Sequence, residues 1–164
     1  MNNIDNYADR LKTVGVLYVD LYPFRKTSKG DIEYLLFRRN DKVELANTWQ
    51  AISGKIAKDE RISETFSRLA KKRTGVNPKK VVKLQTVNMF YDEYYDTVML
   101  VPTSACELAK DDEVVISDLH TGYKWCSKEE ALELLIWPNQ KEAIELIEVT
   151  CKSLSSDFSK HSEI

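Results

Sequence analysis

Long apolar runs, histidines and pairable cysteines are what this 164-residue chain has little of. No apolar segment approaches the roughly 20 residues that span a bilayer as a helix. The opening stretch MNNIDNYADRLK holds no apolar core of the kind a secretory leader needs, so none is expected. The two histidines, His120 and His161, give little support to a mechanism built on imidazoles. The three cysteines, Cys106, Cys126 and Cys151, are odd in number and far apart. That pattern argues against a disulfide frame or a zinc site and for a reducing, cytoplasmic compartment. Excess charge is missing too: 24 Lys and Arg stand against 26 Asp and Glu, a net charge of -2. A nucleic-acid binder driven by overall attraction is thereby excluded, but a local basic patch is not.

The rest of the composition is that of an ordinary soluble domain, at 43% hydrophobic and 30% charged. The length suits one core, and no internal repeat or interior linker interrupts it. A single domain over residues 1–154 is expected, with the Ser-rich stretch 155–164 as a flexible tail. Residues 13–21, 32–38, 80–90, 96–103 and 122–126 are rich in β-branched and aromatic types and predict strands. Lys29-Gly30-Asp31 is a turn signal. In 60–74, Ile62, Phe66, Leu69 and Ala70 recur at helical spacing, and Gly75 supplies a stop. Ser127 with Glu130 forms an S-x-x-E start for a helix at 128–136. After Pro138-Asn139, the residues Ala143, Ile144, Ile147, Cys151 and Leu154 give a last helix its apolar stripe.

One stretch carries more than secondary structure. Residues 54–76 read GKIAKDERISETFSRLAKKRTGV. Gly54, Glu60, Arg68, Gly75 and Val76 fall in register with the pattern G-x5-E-x7-R-E-U-x-E-E-x-G-U, where U is a bulky aliphatic. This resembles the Nudix box. The likeness extends through TWQAISGK at 48–55. It continues in HTGYKWCSKEEALELLIWPNQKEAIE at 120–145, which is similar to the nucleoside and dihydroneopterin triphosphate pyrophosphatase branch. The resemblance implies an α/β/α sandwich with a mixed central sheet. It also implies that Glu60 and Arg68 brace the loop and helix, with Gly54 and Gly75 as fixed turns of the scaffold.

The same resemblance places three metal-holding glutamates at 69, 72 and 73, and a further one at 119. Here those positions are Leu69, Lys72, Arg73 and Leu119. Positions i, i+3 and i+4 project within about a third of a turn of one another, which is how one helix holds a metal cluster. Mg²⁺ and Mn²⁺ take oxygen ligands. Leucine offers none, and lysine and arginine repel the ion. Residues 60–74 hold five basic side chains against two acidic ones. No catalytic residue and no metal ligand is therefore expected.

The function this implies is binding of a nucleotide or other nucleoside diphosphate-type ligand, with little or no hydrolysis. Arg73 and Lys72 would stand where metal stood and meet phosphate directly. Arg38, Trp49, Lys55 and Tyr91 join them as candidate ligand contacts, and Arg39 is weighed beside Arg38 as a phosphate contact at the end of its strand. Each also has a plainer reading. Lys71, Lys72 and Arg73 complement the helix dipole, Leu69 and Trp49 pack in the core, and Arg38 ends a solvated strand. Tyr91, Tyr94 and Tyr95 form a hairpin with packed rings. Two other functions are weighed. One is an active pyrophosphohydrolase needing Mg or Mn on relocated ligands, drawn from Glu60, Glu64, Asp92, Glu93, Asp96, Asp111, Asp112 and Glu113. The other is an RNA- or protein-interaction module using Lys71–Arg73 and Lys79–Lys80. A homodimer is compatible with either, and a membrane partner is not expected.

Overall fold

Alternation along the strands decides how the sheet is covered. The computed structural model describes residues 14–160, with side chains through Leu154. Its elements run β1 (Val14–Gly15), β2 (Tyr18–Lys26), β3 (Ile32–Arg39), β4 (Trp49–Gln50), β5 (Ile52–Lys55), α1 (Ile62–Thr74), β6 (Lys80–Asp92), β7 (Thr97–Glu107), β8 (His120–Cys126), α2 (Lys128–Leu134) and α3 (Pro138–Lys160). The described strands join in one mixed sheet. β2 and β1 pair parallel with β7, while β2–β3, β2–β5, β3–β4, β3–β8 and β6–β7 are antiparallel.

Successive side chains on a strand point to opposite faces, and the buried residues sort accordingly. Val19, Leu21, Leu35, Phe37 and Ile52 pack with Phe66, Leu69 and Ala70 of α1. Tyr22, Phe24, Tyr34 and Leu36 pack with Ala131 and Leu135 and with Ala143, Ile144 and Ile147. One helix thus covers one face and two cover the other, the expected α/β/α sandwich. Each large side chain so buried contributes about 1.5–3 kcal/mol.

β2 continues past the predicted end at residue 21, through Pro23, although proline cannot donate to a ladder. The register explains how. β2 pairs with β5 through Leu21 and with β3 from Phe24, so Pro23 falls where the antiparallel partner changes. The Thr27–Asp31 turn closes on Gly30 at φ 85°, a left-handed conformation that glycine adopts without strain.

The helices correct the expected stripes at two points. Ile62 is 39% exposed, and Thr65 is buried in its place. Its hydroxyl is satisfied within the structure, donating to Glu60 Oε2 at 2.8 Å. Leu154 is likewise exposed rather than part of the α3 stripe. The α3 backbone runs to Lys160, into the segment read as a tail; residues 161–164 lie outside the described residues.

Candidate functional site

The loop before α1 is built around one carboxylate. Glu60 Oε1 accepts from Arg68 Nε at 2.6 Å, and Oε2 accepts from Arg68 Nη2 at 2.9 Å, from Ala57 N at 2.9 Å and from Thr65 Oγ1. Arg68 Nη2 also donates to Lys55 O at 2.8 Å, which ties the helix to the end of β5. These bonds, led by that from Arg68, hold the Glu60 carboxyl down at about 2. A depressed carboxylate contributes stability that is present above its unfolded value near 4.5 and is lost as pH falls towards 2. Glu60→Gln is expected to lower the thermal midpoint at neutral pH and to narrow its gap to the parent in acid. A pH series of melting curves reads this directly.

Glu64 is engaged as well. Its Oε2 accepts from Arg61 N at 2.9 Å and caps the helix. The other end stops at Gly75, φ 75°, whose N–H donates to Lys71 O at 2.9 Å.

Leu69 occupies the space at the centre of this frame. It is 2% exposed, and a methyl group placed on Gly54 would lie 2.6 Å from Leu69 Cδ2 and 2.8 Å from Cδ1. Such distances are inside van der Waals contact. A side chain at 54 would therefore have to displace the end of Leu69, and the leucine closes the space against the strand.

A turn further along α1, the surroundings become cationic. Arg73 is half-buried, and its Nη1 donates to Ser117 Oγ at 3.3 Å. Burial, and then the charge of Arg68, holds its guanidinium below the ordinary arginine range. His120, at the start of β8, is 7% exposed and stacks on Phe37 with ring centroids 4.9 Å apart. Burial, then the charges of Arg73 and Arg39, pulls its imidazole down to about 4. Arg39 Nη1 donates to Gln50 Oε1 at 2.7 Å, and Gln50 Nε2 lies 3.4 Å from His120 Nε2. Among the described residues neither Arg39 nor Arg73 makes an ion pair with a carboxylate.

The opposite face of the sheet holds a cavity of about 470 Å³ between β2, β6, β7 and α3. Asp20, Tyr22, Asn88, Thr103, Asn139 and Glu142 are among its walls. Burial raises the Asp20 carboxyl to about 6, against the opposing effect of hydrogen bonds with Ser53 and Asn88. With Glu142 and Glu145 also lining it, the cavity repels phosphate. It can take an uncharged ring that offers N–H donors.

The sequence-predicted contacts are dispersed. Arg73 joins the cationic cluster. Lys72 is exposed beside it. Arg38 pairs with Trp49 across the β3–β4 ladder, and Trp49 is half-buried against the core on the α2/α3 side. Lys55 Nζ stands 5.8 Å above the Tyr18 ring. Tyr91 is exposed on the β6–β7 hairpin, its hydroxyl donating to Asp96 Oδ1 at 2.7 Å. Arg39, weighed with Arg38 as a phosphate contact, lies beside His120, whereas Gln50, Ser117, His120 and the cavity wall at Asp20 and Asn88 were not singled out as ligand contacts. Five of the eight carboxylates considered as relocated ligands, Glu60, Glu64, Asp92, Asp96 and Asp112, accept hydrogen bonds within the structure. Besides Glu60 and Glu64, Asp92 accepts from Tyr95 N and Asp112 from Ala109 N. Lys79 and Lys80, read as part of a basic patch, both pair with the buried Glu107, at 3.4 and 3.2 Å.

The sequence profile described as the NUDIX domain matches residues 14–147. The chain belongs to that family. Among curated proteins none matches. Solved structures agree on the fold. One from Listeria monocytogenes, described as a NUDIX hydrolase, is 25% identical, with a TM-score of 0.71 over 87% of this chain and 97% of that one. The NUDIX domain of Shewanella oneidensis NrtR, complexed with ADP ribose, is 18% identical, with a TM-score of 0.66 over 90% and 97%. The dihydroneopterin triphosphate pyrophosphohydrolase of E. coli is 17% identical, with a TM-score of 0.65 over 82% and 94%.

Membership implies a divalent metal, and the residues present do not fit one. A buried Leu69 fills the space beside Gly54, Arg73 carries the wrong charge, and the Leu119 side chain offers no oxygen. Among the described residues no three His, Cys, Asp or Glu side chains come together as a metal group. No helix among them is long and apolar enough to cross a membrane.

Proposed function

We propose that the chain binds a nucleotide or another nucleoside diphosphate-type ligand without metal and without appreciable hydrolysis. The observation that carries this reading is the replacement of a carboxylate cluster by Leu69 packed on Gly54, with the unpaired Arg73 one turn beyond. Hydrolysis of a pyrophosphate in this family needs metal to neutralise phosphate and activate water. A guanidinium can do the first of these by bidentate contact, but it cannot generate hydroxide. Binding then remains where cleavage does not. The ADP ribose complex of the NrtR domain supports a ligand of this class on this fold. Cytoplasmic nucleotide pools would supply it.

The test is a thermal-shift panel of ADP, ADP-ribose and a nucleoside triphosphate, with and without EDTA. A ligand at about 100 times its dissociation constant stabilises by about 2.7 kcal/mol, which raises the midpoint by several degrees. The expected result is a rise that EDTA leaves unchanged. Phosphate release that requires Mg²⁺ or Mn²⁺ would overturn the reading in favour of relocated ligands. A midpoint indifferent to every nucleotide would overturn it in favour of an interaction module.

A further inference from the structure

The orientation of Gln50 fixes the proton on His120. Gln50 Oε1 already accepts from Arg39 Nη1 at 2.7 Å, so its Nε2, a donor only, faces the imidazole. His120 Nε2 must then accept, and the ring hydrogen sits on Nδ1. That Nδ1 is buried, and among the described residues it has no hydrogen-bond partner. A buried donor left without an acceptor is destabilising, so a group that accepts from it would be favoured there. The surroundings do not supply one. Phe37 covers the ring, and the charged groups acting on it are Arg73 and Arg39, both cations. A neutral donor, two guanidiniums free of carboxylate partners, and no anion among the described neighbours make an acceptor site for an oxyanion.

We propose that Arg39, Arg73 and His120 form a phosphoryl-binding subsite, in which Gln50 holds the imidazole so that Nδ1–H is offered to a ligand oxygen. This deepens the nucleotide-binding reading: it keeps Arg39 and Arg73 as phosphate contacts, adds His120, and leaves out Lys72 and Arg38. Nδ1 is closed off from solvent in this conformation, and Arg73 is held beside it by a single 3.3 Å bond to Ser117 Oγ. No bond is made or broken in the ligand; the subsite recognises charge and oxygen geometry.

The probes are inorganic phosphate, sulfate and pyrophosphate, titrated into the ¹⁵N-labelled full chain while the imidazole nitrogens are followed by NMR. Nδ1–H is expected to move downfield in a saturable way, with Nε2 remaining the unprotonated nitrogen. Arg39→Gln and Arg73→Gln are each expected to weaken binding by about tenfold or more. Lys29→Gln, the same charge change on the remote β2–β3 turn, should leave binding unaltered. An Nδ1 signal unmoved at saturating anion would overturn the proposal, as would Arg39→Gln binding like the parent. Because the imidazole signal is read in the unmodified protein, a variant that fails to fold does not remove the test. The two readings fail separately. Phosphate that moves Nδ1 while no nucleotide binds leaves the subsite standing and sinks the nucleotide reading. Nucleotide binding without an imidazole response does the reverse.

Discussion

Gly54→Ala destabilises the domain by about 1–3 kcal/mol, and Leu69→Ala by about 2–5 kcal/mol, but the double substitution costs less than their sum. The first expectation follows from overpacking: a new methyl group would meet Leu69 Cδ2 at 2.6 Å. The second follows from loss of buried apolar contact and the void left behind. In the double variant the clash is gone, and the alanine methyl at 54 occupies part of the space the leucine vacated. Residues in contact show coupling of about 0.5–3 kcal/mol in such cycles. Denaturant unfolding of the four proteins measures it. Strict additivity would mean that the glycine is required by something other than Leu69.

The second large effect is in acid. His120 has a folded value of about 4 against an ordinary 6.5. The unfolded chain therefore takes up its proton first, and the stability present above about 6.5 is lost as pH falls towards 4. Asp20 has the opposite sign. Its folded value of about 6 against 3.8 means that the native state binds the proton first, so stability is gained as pH falls from 6 to 3.8. The full shift at His120 amounts to about 3 kcal/mol at 1.36 kcal/mol per pH unit. The two windows overlap, so over the range they share these groups offset one another in the parent. Asp20→Asn should expose the His120 loss as a steep acid limb. His120→Asn should instead leave a protein whose stability rises between pH 6 and 4. Parallel pH profiles for the two variants would contradict this assignment.

How much of this could be read from the chain depends on range. The frame of the site was legible because its parts lie within one loop and helix. Gly54, Glu60, Arg68 and Gly75 keep fixed spacings, and the bonds joining Glu60 to Arg68 span a few turns of chain. The plain reading of Leu69 as a core residue also stands. The face on which a strand residue lies was harder to read. Arg38 and Arg39 are adjacent and chemically alike, yet the first lies opposite Trp49 and the second bonds Gln50 and the Glu44 carbonyl. A register shift between them makes the assignment less regular still. His120 carries little weight in the sequence, because the chain has only two histidines and Leu119 precedes this one. Its importance lies in Gln50 and Arg73, distant in sequence and brought close by the sheet. The cavity beside Asp20 joins β2, β6, β7 and α3, and no local pattern announces it.

The contact between Leu69 and Gly54 also bears on history. Leu69→Glu would place a carboxylate in a closed apolar space, against a strand, with Lys72 and Arg73 still offering cations where a metal needs oxygens. The step at Leu69 thus costs stability before it yields a bound ion. On the proposed reading the packed leucine acts as a ratchet: once seated, it makes a site without metal far easier to keep than to reverse.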